Sequence, residues 1–90
     1  MAVVSIAWAP SRQAYQAVHD EVGGPPAWPA RGLIVHTASE VDGRVRVVEV
    51  WESQQHIDEF VQSKLVPVFQ KLGVEGEPPE LTETFSIDRG

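Results

Sequence analysis

The sequence predicts an α+β domain in which two helices cover one four-stranded antiparallel sheet. Three observations predict it. Asp42-Gly43 stands between two strand-like runs, GLIVHTASEV and RVRVVEVW, and Asp-Gly suits a hairpin turn whose central residues need positive φ. An apolar stripe at helical spacing follows that hairpin without a break. The two outer segments, residues 2–9 and 80–88, read as short strands, and the first is followed by a helical stripe of its own.

Taken in order, residues 2–9 (AVVSIAWA) form a β-branched strand stopped by Pro10. Its faces are Val4, Ile6, Trp8 and Val3, Ser5, Ala7, and the pattern does not say which meets the helices. Ser11 is a good N-cap, and Ala14, Tyr15, Val18 and Val22 form one helical stripe ended by Gly23-Gly24. Residues 23–32 (GGPPAWPARG) are a loop stiffened by three prolines, with Trp28 near its middle. After the hairpin, Ser53 caps a helix that puts Ile57, Phe60, Val61, Leu65, Val68, Phe69 and Leu72 on one side. Pro67 predicts a break near Leu65–Val66 and a short second helix ended by Gly73. Residues 73–79 are a loop. Residues 80–88 alternate Leu81, Glu83, Phe85 and Ile87 against Thr82, Thr84, Ser86 and Asp88, a half-buried last strand.

The turn sets the hairpin register. With Asp42 and Gly43 at its tip, Val41 faces Arg44, Ala38 faces Val47, His36 faces Glu49 and Ile34 faces Trp51. Opposed residues share a side of the sheet. One side carries Ile34, His36, Ala38, Val47, Glu49 and Trp51; the other carries Leu33, Val35, Thr37, Val48 and Val50. The second set is the cleaner apolar surface and is expected against the helices. The first is then left open, and a second copy packed sheet to sheet would cover it. The order β-α-β-β-α-β is the ferredoxin-like split pattern.

Ninety residues make one domain, residues 1–90. A hydrophobic fraction of 42% with three tryptophans supports a real core. Thirteen acids against seven bases give a formal charge of −6, so nucleic acid and anionic membrane are excluded as partners. No apolar run spans a bilayer, and the first ten residues do not read as a signal peptide. The lack of cysteine excludes disulfides and thiolate chemistry and fits a cytoplasmic location.

The GLIVH strand (32–36), the VVEVWES junction (47–53), the Phe60-x4-Leu65-x-Pro67 helix and the AYQAV segment (14–18) carry a resemblance. On them the chain resembles the dimeric α+β-barrel superfamily, which includes the antibiotic-biosynthesis monooxygenases. It is most similar to small, largely uncharacterised bacterial members. The resemblance implies a homodimer whose barrel can enclose a small-molecule pocket. It implies activities that range from cofactor-free oxidation of polyketide phenols to cyclisation, isomerisation, haem binding or none.

His36 opposite Glu49 is the candidate catalytic pair. A carboxylate holds an imidazole in one tautomer and raises its basicity, and such a pair can take a proton from a phenol or enol. The bland reading is a cross-strand hydrogen bond at a dimer interface. Trp51, Trp28, Ile34 and Tyr15 are candidate pocket walls, against the plainer reading of tryptophan as core or interface. Tyr15 stands one helical turn before His19, so the two rings adjoin; His19 and His56 are otherwise expected on helix surfaces. The histidines lack ligand spacing, so no metal or other cofactor is expected. No G-x-S-x-G or phosphate-binding glycine loop occurs. The leading expectation is a homodimeric, cofactor-independent monooxygenase acting on an aromatic or polyketide-like molecule. The alternatives are a cyclase or isomerase, and a non-catalytic binding or interaction dimer.

Overall fold

A computed structural model describes residues 1–23 and 31–88; Trp28 lies outside them. Strand β1 (Val3–Ala9) leads into helix α1 (Arg12–Val22), strands β2 (Leu33–Val41) and β3 (Arg44–Trp51), and helix α2 (Gln54–Phe60). A π-helical segment (Val61–Leu65), helix α3 (Val66–Leu72) and strand β4 (Glu80–Glu83) complete the chain. The sheet is antiparallel, in the order β2-β3-β1-β4, which is the ferredoxin-like arrangement.

The local signals act as their chemistry dictates. Asp42 and Gly43 take φ of 51° and 81°, as a type I′ turn requires. Val41 pairs Arg44, Ala38 pairs Val47 and His36 pairs Glu49. The Ser11 hydroxyl accepts from the Ala14 amide and the Ser53 hydroxyl from the His56 amide, so both helices are side-chain capped. Gly23 and Gly73 close α1 and α3 in left-handed geometry.

Two expected details change. A bulge between Leu33 and Val35 lets Leu33, rather than Ile34, pair with Trp51. Leu33 thereby packs on the core of Val3, Trp51, Ile57 and Phe60, and that burial favours the shift. Strand β4 stops at Glu83, which pairs with Val3. Past Thr84, whose amide reaches the Ala2 carbonyl, β1 offers no further partner, and Phe85 stands 94% exposed.

Pro67 acts before the position expected for it. Its ring would meet the carbonyl four residues back. The chain widens over Val61–Leu65 into π geometry, with the Val66 amide bonded to the Val61 carbonyl, so the helix passes through Pro67 without a full stop.

The largest correction concerns the two sides of the sheet. The helices lie on the side that carries His36, Glu49 and Trp51. Among the described residues Trp51 is the most deeply buried, 1% exposed, with its ring 5.4 Å from that of Phe60. Val3, Ser5 and Val45 are buried on the same side. The cleaner apolar set apart from Leu33 (Val35, Thr37, Val48 and Val50), joined by Val4 and Ile6 of β1, is left open, with Val35 44% exposed. Counting apolar residues misassigned the sides because the polar pair on the covered one is internally satisfied. A buried polar group is costly only when it lacks partners.

Candidate active site

Four side chains from three elements form one hydrogen-bonded chain. The Trp51 indole N–H donates to Glu49 Oε1 at 3.1 Å. Glu49 Oε2 lies 2.5 Å from His36 Nδ1. His36 Nε2 lies 2.8 Å from the Tyr15 hydroxyl of α1. Strand alternation puts Glu49 and Trp51 on one side of β3, and the tight turn brings His36 beside Glu49. The Ser11 cap and the Tyr15 position then lay the phenol over His36 from the helix layer.

The proton positions follow from the groups themselves. An ionised carboxylate only accepts, so Nδ1 carries the imidazole proton and Nε2 keeps its lone pair in the neutral ring. The Tyr15 hydroxyl therefore donates to Nε2. Its phenol pKa is raised, first by burial and then by the nearby Glu49 charge; both disfavour phenolate. Tyr15 thus stays protonated at neutral pH. The His36 and Glu49 side chains are 23% and 14% exposed, shielded but not sealed.

Tyr15, His36 and Glu49 of this chain border a cavity of about 390 Å³ between sheet and helices, within the range of about 300–1,000 Å³ typical of ligand pockets. Ala7, Val18, Val47, Leu65 and Phe69 give it an apolar wall, and Tyr15, His36 and Glu49 border it together. Val74, Glu75 and Gly76, from the loop after α3, also border it. A Cβ on Gly76 would meet the Phe69 ring at 2.5 Å, so glycine lets this loop lie flat on that ring. The arrangement can accept a proton at the edge of a mostly apolar space, where a neighbouring carboxylate steadies the resulting imidazolium.

Among the predicted site residues, His36, Glu49 and Tyr15 come together at the cavity. Trp51 does not border it; it holds Glu49 from within the core. Ile34 does not border it either, being displaced by the bulge. His19 is the residue that sequence reasoning sent to the surface. It borders the cavity, its ring 5.6 Å from Tyr15 and 6.3 Å from His36. The i, i+4 spacing from Tyr15 was the signal for it. His56 caps locally, its Nδ1 2.7 Å from the Ser53 hydroxyl. No group of three or more metal-ligating side chains occurs among the described residues, nor any helix long and apolar enough to cross a membrane.

Comparison with solved structures bears on the fold. Rv0793 from Mycobacterium tuberculosis is similar over 99% of this chain and 98% of its own, at 21% identity and a TM-score of 0.68. The protein YJCS is similar over 94% of this chain and 100% of its own, at 14% identity and a TM-score of 0.61. At these identities the likeness shows a shared fold. No protein-family model matches the chain, and no curated protein matches it.

Proposed function

We propose that the protein is a cofactor-independent enzyme that takes a proton from a small aromatic or polyketide-like molecule and directs the anion to O2. One observation carries the reading: a carboxylate-held imidazole ends, through a phenol, at the wall of an apolar cavity. Tyr15 oxygen accepts the acidic proton of the substrate while its own proton passes to His36 Nε2. Glu49 stabilises the imidazolium. The carbanion or phenolate gives one electron to O2, and the radical pair joins as a carbon–oxygen bond. His36 returns its proton to give a hydroperoxide, and loss of water leaves a carbonyl. The net change is CH2 + O2 → C=O + H2O.

The ferredoxin-like sheet order supports a place in the dimeric α+β-barrel superfamily with the antibiotic-biosynthesis monooxygenases. The open apolar face, with Val4, Ile6, Val35, Val48 and Val50, supports a homodimer closed sheet to sheet, because so short a chain buries little surface alone.

Oxygen uptake with anthrone, an aromatic carbon acid, tests the reading. Uptake by the wild type that is lost in His36→Gln supports it. Anthrone conversion by base catalysis without oxygen uptake would instead favour the cyclase or isomerase alternative. Ligand binding with no turnover would reduce the protein to a binding module.

A further inference from the structure

The cavity meets solvent along one short stretch of chain. Of the described residues that border it, Pro10, Val74, Glu75 and Gly76 are exposed, and the others are half-buried or buried. Three of those four belong to the loop between α3 and β4, and Pro10 follows the end of β1. The loop therefore has one surface in water and the other on the cavity, and the way in runs between it and Pro10.

Little holds the middle of that loop. The Gly73 and Val74 amides bond to the Gln70 and Phe69 carbonyls at 3.3 and 3.1 Å, which ties its start to α3. Glu75, Gly76 and Glu77 make no backbone hydrogen bond to a described residue. Two side-chain contacts bear on them instead. Gly76 lies so close to Phe69 that a Cβ there would stand 2.5 Å from a ring carbon. The Glu77 carboxylate lies 3.8 Å from the Arg44 guanidinium, which itself stacks 4.6 Å from the centroid of the Trp8 ring. Strand alternation puts Trp8 and Arg44 on the open side of the sheet, so the ion pair ties the loop to the sheet beyond the helix layer. Gly76 leaves the backbone free of Cβ restraint, and Pro78-Pro79 fix φ at the far end, which confines movement to residues 75–77. Lifting them breaks one exposed ion pair and one glycine–ring contact, both weak.

We propose that residues 75–77 form a gate over the mouth of the cavity, latched shut by Glu77 on Arg44. Opening lifts Gly76 off Phe69 and gives a small uncharged molecule a path to Tyr15 and His36; closing shields them again. The gate rests on the cavity and its mouth, and it holds whether or not the proton relay turns a substrate over.

Tyr15 is the one tyrosine of the sequence and borders the cavity. Its nitration by tetranitromethane, a small uncharged reagent, therefore reads access to the space by absorbance, with no ligand needed. Rates are measured on the full chain and corrected for each variant's phenol titration midpoint, because the reagent attacks phenolate. Glu77→Gln and Arg44→Gln are each expected to nitrate about two- to fivefold faster than the wild type, the worth of one exposed ion pair. Salt at about 1 M screens the pair, so it speeds the wild type and leaves Glu77→Gln unmoved. The exchanged pair Arg44→Glu/Glu77→Arg nitrates more slowly than Glu77→Gln. Gly76→Ala pushes the loop off the Phe69 ring and speeds nitration with no change of charge. Circular dichroism establishes that each variant is folded, and Glu77→Gln serves should Gly76→Ala not fold. Nitration of folded Glu77→Gln at the wild-type rate, or an equal salt response in both proteins, overturns the proposal.

Discussion

Tyr15 and His36 stand 21 positions apart in the chain, one on a helix and one on a strand, and their side chains meet at 2.8 Å. That contact ties the helix layer to the sheet at the cavity wall. It also engages the Nε2 lone pair of the imidazole, so in the proposed relay the acid hands its proton to the phenol oxygen.

Replacing Tyr15 by Phe keeps the ring and removes the relay. With an active substrate, kcat is expected to fall by a factor on the order of 10²–10⁴, the usual worth of a positioned proton-transfer group. Steady-state kinetics check this, and KM should change far less than kcat.

Tyr15 is the one tyrosine of the sequence, so phenolate absorbance during an alkaline titration reads this group alone. The midpoint is expected above the free-phenol value of about 10, because burial and the Glu49 charge both oppose ionisation. Glu49→Gln removes the second cause and should lower the midpoint.

The same shift makes stability depend on pH. A phenol whose pKa is raised on folding leaves the native state holding its proton longer than the unfolded chain. The contribution is therefore full below the unfolded pKa and is lost as pH rises through the folded one. Denaturation midpoints of the wild type are expected to fall in alkaline solution more steeply than those of Tyr15→Phe.

Trp51→Phe should cost about 1–3 kcal/mol in chemical denaturation. The change leaves a void in the core beside Phe60 and strips Glu49 Oε1 of its indole donor. The same variant frees Glu49 to turn, so activity should fall more than stability alone explains.

On the open face, Val50→Lys should leave the fold intact and yield a monomer by light scattering, where the proposed homodimer predicts a dimer for the wild type. A lysine there would put a charge on the apolar face through which the proposed dimer closes.

Much of this was legible because the decisive signals are local. A positive-φ turn at Asp42-Gly43 fixes pairing two residues at a time, so His36 and Glu49 had to be neighbours. Ser11, Ser53 and the closing glycines act within one helical turn. What was not legible depends on distant partners. The side of the sheet that the helices cover is decided by Trp51 meeting Phe60 and by Tyr15 satisfying His36, and neither contact has a sequence spacing. The displacement of Ile34 comes from Leu33 packing on that same core. The length of β4 is set by where β1 begins, not by the alternation of Phe85 and Ile87. His19 was misplaced because a histidine at the margin of an apolar stripe reads alike whether a cavity or solvent lies beyond it.

The most direct test of the proton relay is anaerobic hydrogen–deuterium exchange at the acidic carbon of anthrone, followed by NMR against a buffer blank. A working relay gives exchange well above the blank for the wild type, exchange at the blank rate for His36→Gln, and exchange close to it for Tyr15→Phe. Exchange by folded His36→Gln as fast as by the wild type would contradict the relay.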